Sequence, residues 1–437
     1  MKKLFIFPVV ALLLAACLPQ NIQVPQSPLL STLERKSGLI AYVGIDGNIY
    51  VSDQGGGNLV QLTSDASVSE SQSGPFLYYQ YPTWSADSNH LAFVGISGQG
   101  GAASGTSLMI ANIDEEKAEK VYSSKTENPF YLYWSPDNEN LGFISSTASG
   151  QSFMLQSASV NGGEPVVLDT GSPYYWSWAP DGSAMIVHTG GTNSTVPVHL
   201  SFLKVKPEII EDQLDAVPAS FQAPAWSPDG NHILLSRVNE QKENEIILTD
   251  PRGEFEKSIG TYEVSTSFAW SHDSELVAYI DGETAMSAGS LGKLHVVDTT
   301  NSEDFFQDDD VAAVFWSPNS KKLAYFKPFV SDGTSSGGTD TSGTASQQLY
   351  LQLHVLDIAS AESKELFTFL PTNQFVSLLP YSDQYHQSAT IWSPDNNNLV
   401  LSFLTPDGAA GIAIVAASGQ LEPRLLAQGY IAFWSWK

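Results

Sequence analysis

The sequence predicts an all-β fold, a single β-propeller, on three observations. A Trp-Ser-Pro-Asp turn recurs from end to end, as Trp84-Ser-Ala-Asp87, Trp134-Ser-Pro-Asp137, Trp178-Ala-Pro-Asp181, Trp226-Ser-Pro-Asp229, Trp270-Ser-His-Asp273, Trp316-Ser-Pro-Asn319 and Trp392-Ser-Pro-Asp395, with a truncated copy at Trp434-Ser-Trp436. The tryptophans stand 50, 44, 48, 44, 46, 76 and 42 residues apart, close to the roughly 40–45 residues of a four-stranded blade. The intervals are rich in Val, Ile, Tyr, Phe and Thr and broken by Gly, Asn, Asp and Pro, a strand-and-turn composition without a long amphipathic helical pattern.

Residues 1–16 read as a secretory signal: Lys2 and Lys3 precede an apolar run from Leu4 to Ala16 that is too short to span a bilayer. The segment ends in Leu14-Ala15-Ala16-Cys17, which resembles the lipobox of bacterial lipoproteins. That resemblance implies that Cys17 is lipidated and becomes the mature N-terminus, in a bacterial cell envelope, extracytoplasmic and anchored to a membrane by lipid alone. Cys17 is the only cysteine, so no disulfide forms within the chain. Residues 17–36, rich in Pro, Gln and Ser, read as a flexible tether, and 37–437 as the propeller.

Each unit parses alike. An aromatic strand ends at the tryptophan; the turn follows, with Pro presetting φ, Asp accepting local hydrogen bonds and Gly taking the left-handed conformation; then come strands such as Leu91–Val94 and Leu108–Ile113, and a variable fourth. The first unit has strands at Leu39–Val43, Asn48–Val51 and Leu59–Leu62 but no tryptophan strand before them, whereas Gly429–Trp434 is a tryptophan strand with nothing after it. Joining them closes the ring and removes its exposed edges. The count is eight four-stranded blades, with seven as the alternative if the degenerate unit around Val196 to Asp212 forms none.

The W-S-P-D-G turn followed by an L-A-F-type strand resembles the repeat of TolB-type propellers, also found in the propeller domains of prolyl-oligopeptidase-like peptidases. The resemblance covers Ser37 to Trp436. It implies the fold and, through the role of TolB in envelope protein contacts, a binding function. TolB carries a further N-terminal α/β domain and is soluble, and the peptidases add a hydrolase domain; neither feature is expected here.

The formal charge of −27 opposes nucleic-acid binding, which needs a basic surface. No G-x-S-x-G, no H-E-x-x-H and no spaced Cys/His metal cluster occurs, so no catalytic residue, metal or cofactor is assigned. The repeated Trp, Pro and Asp are read as structure, the indoles filling the wedges between blades.

Topology places the turns on one face of the ring and the long segments on the other: 97–106, 189–197, 283–290, 327–348, 64–80, 207–221, 301–311 and 369–388. Confinement to one face favours a binding role there. The candidate residues on it are Tyr79, Tyr81, Tyr131, Tyr175, Trp176, Tyr262, Asp309, Tyr381, Tyr385 and His386, although aromatics of this kind also serve to pack loops onto the barrel. His188 and His386 are the two histidines placed near that face; Asp308-Asp309-Asp310 reads as an acidic loop tip. The expected function is a non-catalytic scaffold or binding propeller for an envelope protein, peptide or glycan. The alternative is a propeller enzyme, a polysaccharide lyase or hydrolase or a peptide-processing enzyme, with its active site at the channel mouth.

Overall fold

The computed structural model describes residues 37–437 except 69–72, 148, 151, 191–197, 206–207, 217, 220–221, 284–290 and 332–347. The expected signal segment, Cys17 and the tether lie outside these residues. Among those described, the fold is a single all-β propeller, and no helix is long and apolar enough to cross a membrane.

Five antiparallel sheets of four strands begin at the tryptophan strands Pro129–Trp134, Tyr174–Trp178, Ala225–Trp226, Ser265–Trp270 and Ala313–Trp316. A sixth, from Pro75–Trp84, has five strands because the short Ser67–Val68 pairs on its edge. The last has six, in the order Asn398–Leu404, Ala410–Ala416, Arg424–Trp434, Ile40–Gly44, Ile49–Ser52 and Val60–Gln61. The expected closure is found here: Ile40 pairs with Trp434 and Tyr42 with Ala432.

The eight separate blades expected from the repeats are corrected to seven sheets. The stated alternative placed the loss at Val196 to Asp212, yet strands His199–Lys204 and Ile210–Gln213 pair there as the outer half of a sheet. The merger occurs at the closure instead. Arg424–Trp434 is long enough to pair through Gln428 with Gly411 and, beyond a bulge, through Trp434 with Ile40, so one strand serves both sides. The segment ending at Trp392 makes only the isolated bridges Trp392–Leu399 and Thr390–Trp434. Eight indoles are thus distributed over seven sheets.

The indoles link neighbours in a regular relay. Trp134 Nε1 donates to the carbonyl of Thr83 at 3.0 Å, Trp270 to Ala225 at 3.1 Å, Trp316 to Ala269 at 3.1 Å and Trp392 to Phe315 at 2.8 Å. Trp178 reaches Tyr133 and Trp84 reaches Phe433 at longer range, 3.4 and 3.3 Å. In each case the acceptor precedes the preceding tryptophan. Trp226 departs from the pattern: it is half-buried and donates to Gly230 in its own turn.

In the turns, the serine after tryptophan donates to the Asp two residues on, as Ser227 does to Asp229 at 2.6 Å, and accepts the N–H of His232 at 2.9 Å. The next position is left-handed in every full copy: Gly182 and Gly230, but also Ser88, Asn138, Ser274, Ser320 and Asn396, with φ between 60° and 75°. Glycine needs no further reason there. The others bridge turns: Asn138 Oδ1 accepts from Asp87 N, Ser274 Oγ from Asp229 N, Ser320 Oγ from Asp273 N and Asn396 Oδ1 from Asn319 N.

Removing a wedge indole that is both buried and bonded to the next sheet is the costliest single change. Trp316→Ala is expected to lower stability by about 3–5 kcal/mol. Trp226→Ala is expected to cost clearly less, because its indole is half-buried and its N–H bonds within its own turn instead of to the preceding sheet; chemical denaturation of the two variants checks the order.

Candidate functional site

The interval from 369 to 388, expected as a loop, is helical and closes the channel. Thr372 caps α1 (Asn373–Val376) by accepting Phe375 N and anchors it by donating to Tyr430 O at 2.7 Å. Phe375 is buried against Phe326 and Phe369, with ring centroids 5.3 and 6.0 Å away. After the 3₁₀ turn Leu379–Tyr381, α2 (Ser382–Ser388) lies against the inner strands Pro129–Trp134, Tyr174–Trp178, Ser265–Trp270 and Ala313–Trp316.

Polar contacts fasten α2 from several sides. Gln384 Nε2 donates to Trp176 O at 2.9 Å and to the Tyr131 hydroxyl at 3.0 Å, while that hydroxyl donates to Gln384 O at 2.8 Å. Asp383 Oδ2 accepts Ala223 N at 3.0 Å, and Gln387 Nε2 reaches Pro224 O at 3.3 Å.

The helix leaves a cavity on each side. Toward the turns lies one of about 360 Å³, lined by the indoles of Trp84, Trp134, Trp178, Trp226 and Trp270, by Pro136, Pro180 and Pro228, and by His272, Asp383, His386 and Trp436. Toward the long segments lies a cleft of about 640 Å³ walled by Tyr81, Phe130, Tyr131, Phe153, Tyr174, Tyr175, Tyr381 and Tyr385, with Ser265, Thr266, Ser267 and Ser377 on its rim and Asp383 and Gln384 at its floor. Its rings are mutually braced: Tyr131 meets Tyr385 edge-on at 5.3 Å and Trp176 at 5.0 Å, and Tyr175 meets Tyr381 at 6.4 Å. Tyr81 enters by a device of its own. A bulge between Gln80 and Thr83 puts it at φ 59°, a left-handed conformation unfavourable to a bulky side chain and one that re-aims the ring.

Five of the ten candidate residues therefore converge: Tyr81, Tyr131, Tyr175, Tyr381 and Tyr385. Trp176 supports them from behind, fully buried. Four do not join them. Tyr79 is buried against Phe93 and donates to Asp65 at 2.8 Å. Tyr262 is buried and hydrogen-bonded to Ser236. Asp309 lies in the strand Asp304–Val311 rather than a loop tip, 3.6 Å from Lys293; its neighbour Asp308 accepts from Lys327 Nζ and the Tyr325 hydroxyl, both at 2.6 Å. His386 faces the opposite cavity, stacked on His272 at 5.6 Å. Burial, then the neighbouring His272, pulls its imidazole down to about 3. His188, also expected near the long-segment face, is wholly buried, donates from Nδ1 to Gln222 O at 2.9 Å, and is lowered to about 4, mainly by burial.

Several expected loops are strands. Ser97 to Thr106 is the end of a hairpin, His90–Gln99 with Ala102–Asn112, turning at Gly100 and Gly101, and Lys327 to Gln348 begins and ends as paired strand. Residues 191–197, 284–290 and 332–347 of the remaining segments lie outside the described residues.

Asp383 and Gln384 were missed. Their signal is the 76-residue gap before Trp392, which is too long for a blade and ends in an interval without strand alternation. Asp383 is buried and forms no ion pair among the described residues; burial raises its carboxyl to about 6 against the opposing pull of the Ala223 and Gln384 N–H donors. Among the described residues no group of three His, Cys, Asp or Glu could hold a metal ion.

No family model and no curated protein matches the chain. Among solved structures it is similar to a prolyl endopeptidase (12% identity, TM-score 0.52, covering 80% of this chain and 49% of that one) and to a eukaryotic initiation factor (14% identity, TM-score 0.50, 91% and 98%). It also overlaps TolB from Acinetobacter baumannii (12% identity, TM-score 0.36, 83% and 82%). At these identities the likeness is one of fold alone.

Asp383 sets a pH dependence. A carboxyl raised from 3.8 to about 6 contributes stability that is complete below its unfolded value and lost as pH rises through its folded value. Between pH 3 and 7 the wild type is expected to lose roughly 3 kcal/mol relative to Asp383→Asn, read as a pH-dependent gap between their denaturation midpoints.

Proposed function

We propose that this protein is a non-catalytic binding propeller of the bacterial cell envelope, extracytoplasmic and held to a membrane by lipid on Cys17, which receives a protein, peptide or glycan in the aromatic cleft of its long-segment face. The observation that carries this reading is the cleft itself: a concave, braced set of tyrosines whose floor is the chain's own helix α2. Such a surface offers apolar area with hydroxyls at its edge and little rotamer entropy to lose, the usual make-up of a binding site.

The enzymatic alternative draws on a site at the channel mouth. Against it stand the buried helix filling that position, the turning of His386 to the other side, and the burial of His188 within its sheet. The envelope location rests on the sequence from Lys2 to Cys17.

Two outcomes are expected. Cys17→Ser should move the protein from the membrane to the soluble fraction on cell fractionation. Tyr175→Ala with Tyr381→Ala should lose at least tenfold of whatever partner wild type retains in a pull-down from detergent-solubilised envelope; an unchanged partner set would remove the cleft from the function. Point variants are the proper tool, because deleting 369–388 would also open the channel.

A further inference from the structure

The cleft has a charge character that its tyrosines alone do not convey. No Lys or Arg lines it among the described residues, so nothing there neutralises an anion. At its floor is one carboxylate, Asp383, which also borders the turn-side cavity and lies within the electrostatic reach of the Tyr175 hydroxyl. Both Asp383 oxygens accept backbone N–H groups, from Gln384 at 2.9 Å and Ala223 at 3.0 Å, but among the described residues no cationic side chain answers its charge. A buried carboxylate without a counter-ion is costly, and at neutral pH this one is mostly ionised.

Its neighbours give no relief. Tyr131, Tyr175 and Tyr385 are phenols whose ionisation burial suppresses, and His272 and His386 are held neutral by burial. The strands Ser265–Trp270 and Ala313–Trp316, also packed on α2, carry no titratable residue.

On the reading that the cleft is the binding site, we propose that the group it receives is an organic ammonium ion, seated among Tyr81, Tyr131, Tyr175, Tyr381 and Tyr385 above the carboxylate of Asp383. Ring faces attract a cation through their quadrupole, and a cage of several rings suits a weakly hydrated alkylammonium. A small inorganic cation is poorly served by the same walls, because it requires several oxygens to replace its water, and here one carboxylate is already engaged by two donors. Glycan binding by stacking would use the rings and leave Asp383 unanswered. The strained Tyr81 fits the proposal: a left-handed tyrosine at a bulge is retained where its ring is needed in a particular place.

Calorimetric titration of the full chain in detergent with choline, with its uncharged isostere 3,3-dimethyl-1-butanol and with Nα-acetyl-lysine methylamide tests this. One of the two cations is expected to bind at least tenfold more tightly than the isostere, and which one does so separates a quaternary headgroup from a lysine side chain. Tyr381→Ala, at a partly exposed position safe for folding, should weaken that binding at least tenfold, and Asp383→Asn should remove its rise between pH 5 and 7. Equal binding of the isostere, or no binding of either cation, overturns the ammonium proposal. If the pull-down partner is nevertheless lost in the Tyr175 and Tyr381 variant, the cleft remains the binding site and only its ligand class is wrong.

Discussion

The structure depends on one repeated contact, an indole N–H from one sheet meeting the carbonyl that precedes the indole of the sheet before it. The indole does two things at once. It removes a large apolar area from water in the wedge where sheets diverge, and it satisfies a carbonyl that the same burial would otherwise strand. Because donor and acceptor lie next to equivalent residues in successive units, the contact fixes the angular relation of neighbours as well as their separation. Trp226, whose N–H turns back to Gly230, marks the boundary where that relation is held instead by Ser177 Oγ accepting the N–H of Trp226 at 3.1 Å.

The repeats made most of this legible in the sequence. Trp, Ser and Asp at fixed offsets identify the turns, and the unmatched strands at Leu39–Val43 and Gly429–Trp434 identify the closure. The sheet count was not legible, because it turns on the length of Arg424–Trp434 and on the weakness of pairing near Trp392, both set by packing rather than by motif. Long hairpins such as His90–Gln99 with Ala102–Asn112 looked like loops because Gly and Ser fill them, yet pairing across the hairpin overrides poor strand propensity.

For the site, the tyrosines were visible as an aromatic bias and half of the candidates converge. Helix α2 was invisible for a physical reason. It is seven residues long and five of them are buried, so it has no polar stripe to set a period of 3.6 and no length over which to show one. His386 was misassigned for the same reason: on a strand or loop at that face it would meet the cleft, but two residues of helical rotation from Gln384 turn it through the ring to the turn side.

The position of Ile40–Gly44 has a mechanical consequence. It is an interior strand of the six-stranded sheet, paired with Ile49–Ser52 on one side and Arg424–Trp434 on the other. A pull on the chain ahead of Ser37 therefore loads two ladders at once, and loads them along the strand direction, so their hydrogen bonds must yield together in shear instead of unzipping singly. The ring is latched by the strand nearest to where any tether would draw on it, and the latch resists traction best in that direction.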